Sequence, residues 1–203
     1  MATDSKSAFD NNVVRARYFL KIHEKHQKGA GSPPLMYREL PRAAIVFAVG
    51  AVDSYLSEVS AEVMVRQLQA AVATAGLRDT LKRIQADIPT LPLEISVLPT
   101  NAERLRRLKD SIADHFHNKT SNHGSKAVGA TMTRLGGKVA DVWSTLIGNG
   151  HQKPIDTLDK WTQIRHDIVH KGKKPKVRRP QAEDFISFVD DLVARIDTFA
   201  ETA

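Results

Sequence analysis

Apolar residues recur at intervals of three and four along most of the chain, and strand-like alternation hardly appears. This pattern predicts amphipathic helices. Phe9, Val13, Ala16 and Leu20 fall on one face of a first helix, which fades at Lys28-Gly29-Ala30-Gly31. After the break at Ser32-Pro33-Pro34 a long second helix is predicted, with Pro41 near its start, where a missing N–H is harmless. It carries Ile45, Phe47, Val52, Tyr55, Leu56, Val59, Met64 and Leu68 and is expected to end near Gly76. Its first half is apolar on nearly all sides, which assigns it to the centre of a bundle.

The stretch IPTLPLEISVLPT, Ile88 to Thr100, contains three prolines and reads as an irregular insert. Thr100-Asn101 is positioned to cap a helix bearing Leu105, Leu108 and Ile112, with Glu103 in its first turn. Arg104, Arg106, Arg107 and Lys109 form that helix's polar face. The segment HFHNKTSNHGSK, His115 to Lys126, reads as an exposed polar loop. Met132, Leu135, Val139, Val142, Trp143 and Leu146 suggest a helix interrupted at Gly136-Gly137 and stopped by Gly148-Asn149-Gly150.

Two clearer helices follow. Pro154 opens one with Ile155, Leu158, Trp161, Ile164 and Ile168, ending at Gly172. Pro180 opens the last, with Phe185, Val189, Leu192, Ile196 and Phe199 in a packed stripe. The basic tract KGKKPKVRRP lies between them. No internal repeat or low-complexity linker divides the chain, so residues 1–203 read as one all-α helical-bundle domain with short helical extensions and a polar loop insert.

Composition sharpens this picture only in part. An apolar fraction of 41% and a charged fraction of 26% are ordinary for a globular domain. Thirty Lys and Arg against 23 Asp and Glu leave a formal charge of +7, which favours a polyanionic partner such as nucleic acid, or an anionic membrane surface, and identifies neither. The absence of cysteine excludes disulfides, thiolate metal sites and a catalytic thiol, and fits a reducing cytoplasm. Ala43 to Val52, the most apolar run, is half the length needed to span a bilayer and closes on Asp53. It reads as a buried helix of a soluble protein.

The segment RHDIVH, Arg165 to His170, carries the candidate chemistry. An Arg followed after four residues by a His, at the end of the penultimate helix, resembles the HEPN superfamily, which prefers Asn, Asp or His directly after the Arg; here it is His166. WTQIRHDIVHKGKKPKVRRP is similar to the RiboL-PSP-HEPN-like branch, and AAIVFAVGAVDSYLSEV, with Asp53 midway, resembles that branch's central helix. The likeness covers Pro41–Leu68 and Trp161–Phe199; residues 77–150 carry no recognisable resemblance.

The resemblance implies metal-independent RNA cleavage without a cofactor, often by toxins or antiphage defence proteins, and dimers that place two copies of the motif across one cleft. RNA, a second copy of the chain, and an antitoxin or other partner protein are the corresponding partners. In such chemistry a ribose 2′-hydroxyl attacks the adjacent phosphorus. It needs a proton acceptor and a cation for the developing phosphoryl charge. His170 suits the first role because an imidazole titrates near neutrality, and Arg165 suits the second because a guanidinium grips phosphate bidentately. His166 is an auxiliary. Lys171, Lys173, Lys174, Lys176, Arg178 and Arg179 read either as a solvated basic loop or, beside the motif, as a hold for the RNA backbone.

On a helical projection Arg165 shares the apolar side of Trp161, Ile164 and Ile168, whereas His170 lies roughly opposite and shares a face with His166. An arginine among apolar positions wants an acceptor, and Asp53 is the candidate. Bringing Arg165 and His170 together then requires the arginine's reach, a distorted helix end or two subunits; the family likeness implies the last.

Plainer readings compete. RHDIVH also fits a helix end with a buried Arg–Asp pair and two surface histidines, because cations near a helix C-terminus are favoured anyway. A non-catalytic helical module binding RNA, a nucleotide or a protein would look similar. His166 and His170 have the spacing of two metal ligands, but the HExxH glutamate and a third ligand are missing. His115, His117 and His123 form a loose polar cluster. Trp143 and Trp161 fit the core.

Overall fold

The structure, a computed structural model, describes residues 3–27, 34–72, 74–119, 124–137, 142–148 and 150–202. Among them the order is α1 (Asp4–His26), a 3₁₀ turn (Leu35–Glu39), α2 (Leu40–Gln69), α3 (Ala75–Asp87), α4 (Leu91–Ser96), α5 (Asn101–Lys119), α6 (Gly124–Arg134), α7 (Val142–Ile147), α8 (Gln152–Lys171) and α9 (Arg179–Thr202). The described chain is all-α, as the periodicity predicts.

α2 is the axis of the molecule. At 30 residues it is about 45 Å long, and α1, α5, α6, α8 and α9 all pack on it. Its buried positions go right round the helix, from Ala44 and Ile45 to Met64 and Gln67. By length and composition the span Leu35–Gln69 is apolar enough to cross a membrane, but 67% of its most apolar window is buried inside the protein. That is the pattern of a bundle's core helix.

Two apolar clusters share this axis. The larger joins α1, the first half of α2 and α6–α9 through Phe9, Ile45, Tyr55, Trp161, Phe185 and Val189. The smaller joins the second half of α2 to α3, α4 and α5 through Met64, Leu77, Ile84, Ile112 and Phe116. A buried polar contact ties the bundle's ends: Asp197 of α9 accepts from the Thr3 hydroxyl, from the Thr3 N–H at 3.3 Å and from the Tyr55 hydroxyl at 3.3 Å. Thr3 also caps α1 by accepting from the Lys6 N–H.

Several boundaries differ from those expected. α2 stops at Gln69, not near Gly76, because Ala71 takes a left-handed φ of 57° and lets the Val72 N–H reach the Gln67 carbonyl at 2.8 Å. Gly76 lies inside α3. The insert around 88–100 contains the short helix α4, whose Pro92 sits in the first turn, where proline is compatible with helix. The loop expected over 115–126 is mostly helical: α5 carries His115 and His117, and α6 begins at Gly124. His123 and Val139 lie outside the described residues. The cap at Thr100 forms as predicted and is reciprocal: Thr100 Oγ1 accepts from the Glu103 N–H at 3.2 Å, and Glu103 accepts from the Thr100 N–H at 3.1 Å.

α8 ends as the sequence predicts. Gly172 adopts φ 59°, and the Lys173 N–H returns to the Asp167 carbonyl at 3.0 Å. A Cβ at Gly172 would meet nothing within 4 Å, so its cost is purely conformational. Gly172→Ala is therefore expected to destabilise the protein by about 1 kcal/mol. Thermal unfolding should show the midpoint falling by roughly 2–4 °C.

Candidate active site at the end of α8

α8 buries Leu158 and Trp161, and its half-buried Ile164 extends the same stripe against the main core. Ser125 of α6 fixes the flank, because the Asp159 carboxylate accepts from its N–H and its hydroxyl, both at 2.7 Å. The last two turns then carry Arg165 half-buried and His166 and His170 exposed.

Arg165 and His170 meet within one chain. Arg165 Nη1 lies 3.4 Å from His170 Nε2, and the His166 and His170 rings are 4.9 Å apart. Of the routes open to this convergence, the arginine's reach suffices: its stem stays on the apolar side and its head swings to the histidine face. A guanidinium can only donate, so a hydrogen bond between the two uses Nε2 as the acceptor, the role a proton-abstracting nitrogen also needs. The contact is long, which leaves both groups accessible to a third partner.

Arg165 also separates two hollows. One, about 340 Å³, includes Gly124, Lys126, Asp159, Thr162 and His166 in its lining. The other, about 330 Å³, includes Asn12, Arg15, Phe47 and Ser54 from α1 and α2. Arg165 Nε and Thr162 Oγ1 are buried without a hydrogen-bond partner among the described residues.

Asp53 feels the Arg165 charge, as its place in the apolar helix suggests. Burial dominates, however: it pushes the Asp53 carboxyl up to about 8, with Arg165 pulling the other way. At neutral pH the anticipated ion pair is thus mainly a protonated acid near a guanidinium, because desolvation of the carboxylate outweighs the attraction. Arg165 keeps its charge for another anion.

The basic tract divides in two. Asp167 accepts from Lys171 Nζ at 2.9 Å and from Lys173 Nζ at 3.1 Å, and these contacts hold its carboxyl down at about 2. Arg179 pairs with Glu24 at 2.7 Å and with Glu183 at 3.5 Å. Lys174, Lys176 and Arg178 make no ion pair among the described residues. Together with Arg38, Arg42 and the buried His23 they line a groove of about 1170 Å³. The extended segment is held there by buried Val177 and by its Pro175 carbonyl, which accepts from Arg42 Nη1 at 3.0 Å.

Sequence reading missed His23, Arg38, Arg42 and Lys126, which are distant from the motif in the chain and carry no pattern that links them to it. Asp167 was within view: its spacing to Lys171 is that of a helical ion pair. His115 of the suspected histidine cluster sits instead 3.4 Å from Asp87. Among the described residues no group of three or more His, Asp or Glu is placed to hold a metal.

A bundle with an apolar central helix, and with an arginine and a histidine converging at the end of its penultimate helix, has the attributes of the HEPN class. The chain matches the RiboL-PSP-HEPN family over residues 10–202 and belongs to it. The match takes in residues 77–150, which lie outside the two segments that carry the resemblance in the sequence. No curated protein and no solved structure matches the chain.

Proposed function

We propose that the protein is a HEPN-type endoribonuclease that cleaves RNA without a metal ion. The observation that carries this reading is the pairing of half-buried Arg165 with exposed His170, 3.4 Å apart at the end of α8. His170 takes the proton of a ribose 2′-hydroxyl while that oxygen bonds to phosphorus. Arg165 binds the non-bridging oxygens as their charge grows. The bond from phosphorus to the 5′ oxygen breaks, and His166, protonated, returns a proton to the leaving oxygen. A 2′,3′-cyclic phosphate and a 5′-hydroxyl end result. DNA lacks the nucleophile.

We further propose, on the family likeness, a homodimer acting on cytoplasmic RNA as a toxin or antiphage effector, with an antitoxin or other protein as its restraint. The pair forms within one chain, so the dimer rests on the family likeness and not on a need to unite these two residues. Sedimentation of the purified chain at twice its monomer mass is the expected result. Incubation with RNA in excess EDTA tests the chemistry: cleavage survives chelation and yields cyclic-phosphate ends. Loss of cleavage on chelation would remove the metal-free mechanism.

A binding module without cleavage is the second reading, favoured by one observation: Lys174, Lys176 and Arg178 line a groove that shares no residue with the two hollows at Arg165. RNA bound without any product would support it.

The Lys171 and Lys173 contacts to Asp167 make a separate prediction. Asp167→Asn releases two cations beside the site. The slope of log affinity for single-stranded RNA against log salt should steepen by up to about 1.4, two phosphates' worth. An unchanged slope would show that these lysines do not meet RNA.

A further inference from the structure

The groove along residues 174–180 is about three times the size of either hollow at Arg165, and its composition is unusual. Six cations line it: Arg38, Arg42, Lys174, Lys176, Arg178 and Arg179, against one carboxylate, Glu39. Glu39 is committed to Arg42 in a two-pronged contact, and Arg179 to Glu24 and Glu183. Lys174, Lys176 and Arg178 have no ion pair among the described residues. His23, also in the lining, is only 7% exposed, and its Nδ1 is buried without a hydrogen-bond partner. Leu35 and Met36 stand at the rim, 74% and 69% exposed.

These features point to one ligand chemistry. Three cations in one groove with no carboxylate of their own repel one another, and an anion relieves that repulsion. A buried ring nitrogen without a partner is costly unless something meets it. One phosphodiester offers a single charge to three unpaired cations, whereas a terminal phosphate carries nearly two. The exposed Leu35 and Met36 give a base an apolar surface beside this charge.

We propose that the groove binds the terminal phosphate of a nucleotide, held by Lys174, Lys176 and Arg178 with His23 Nδ1 in the wall and the base against Leu35 and Met36. The nucleotide is either free or the phosphorylated end of an RNA. The second source rests on the RNA-cleavage reading. Four residues, at most about 14 Å of chain, run from His170 to Lys174, so an RNA end held here leaves an internal bond near the Arg165–His170 pair.

Calorimetry on the full-length His170→Ala protein tests the proposal, with ATP, adenosine, and one short oligoribonucleotide in 5′-phosphorylated and 5′-hydroxyl forms. At least one phosphorylated ligand is expected to bind about tenfold tighter than its unphosphorylated counterpart. That preference should vanish in Lys176→Gln/Arg178→Gln and persist in Lys82→Gln/Lys153→Gln, which removes the same charge outside the groove. It should weaken in His23→Gln. Equal affinity for phosphorylated and unphosphorylated ligands would overturn the site, as would equal losses in the two double variants. Tight ATP binding identifies a free nucleotide as the source; preference for the phosphorylated RNA alone identifies an RNA end. Neither readout requires cleavage, so an inactive protein leaves the groove testable.

Discussion

His170→Ala should lower the rate of RNA cleavage by about 10²–10⁴-fold, the usual contribution of a positioned proton-transfer group. RNA affinity should hardly change. The side chain is exposed at the end of α8 and carries no core packing, so a folding defect cannot account for the loss. Arg165 requires a more careful substitution, because it is half-buried and its charge acts on Asp53. Arg165→Lys keeps that charge and removes the planar fork that grips two phosphoryl oxygens at once. Its cleavage rate should fall by about 10²–10³-fold, with thermal stability close to that of the wild type. Rapid quench of a labelled RNA measures both variants. Undiminished cleavage in His170→Ala would remove this histidine from the reaction, and a lysine that fully replaces Arg165 would reduce the arginine to a point charge.

The pair on which this rests was partly legible in the sequence. The helical period placed α8 and α9 closely, because Gly172 and Pro180 punctuate them, and the spacing of His166 and His170 correctly put their rings together. The same projection set Arg165 on the other side, since it tracks Cα directions and an arginine's head travels several ångströms from its Cα. Proline misled at Pro92, where the first turn of a helix has no N–H to lose. Ala71 misled differently: a left-handed alanine ended α2 where no glycine announced an end. The groove was invisible for another reason. Arg38 and Arg42 stand more than 130 positions before Lys174, and only the folding of the basic segment onto the start of α2 joins them. Asp53 was the opposite case, because an acid and an arginine each set in an apolar stripe were sufficient grounds to look for both in one place.

What the sequence could not reveal was Asp53's protonation state, and from it follows an expected dependence of stability on pH. Buried Asp53 titrates at about 8 in the folded protein against an ordinary value of 3.8. Between those values the folded protein keeps a proton that the unfolded chain has lost. The stability associated with that proton is fully present below about pH 4 and is lost as pH rises through 8, by at most about 1.4 kcal/mol per unit. Asp53→Asn has nearly the same shape and nothing to titrate. Its denaturation midpoint should match the wild type near pH 4 to 5 and exceed it progressively toward pH 8.5. Arg165→Gln should extend the wild-type decline to higher pH, because it removes a charge that holds the Asp53 value down. Urea titrations of the three proteins at matched ionic strength measure the differences, and parallel pH profiles for wild type and Asp53→Asn would refute the assignment. The functional consequence lies in the neutral range. A protonated Asp53 supports the base of the site without consuming the guanidinium's charge, so Arg165 meets phosphate as a full cation. Raising the pH past 8 creates a buried carboxylate that competes for that cation.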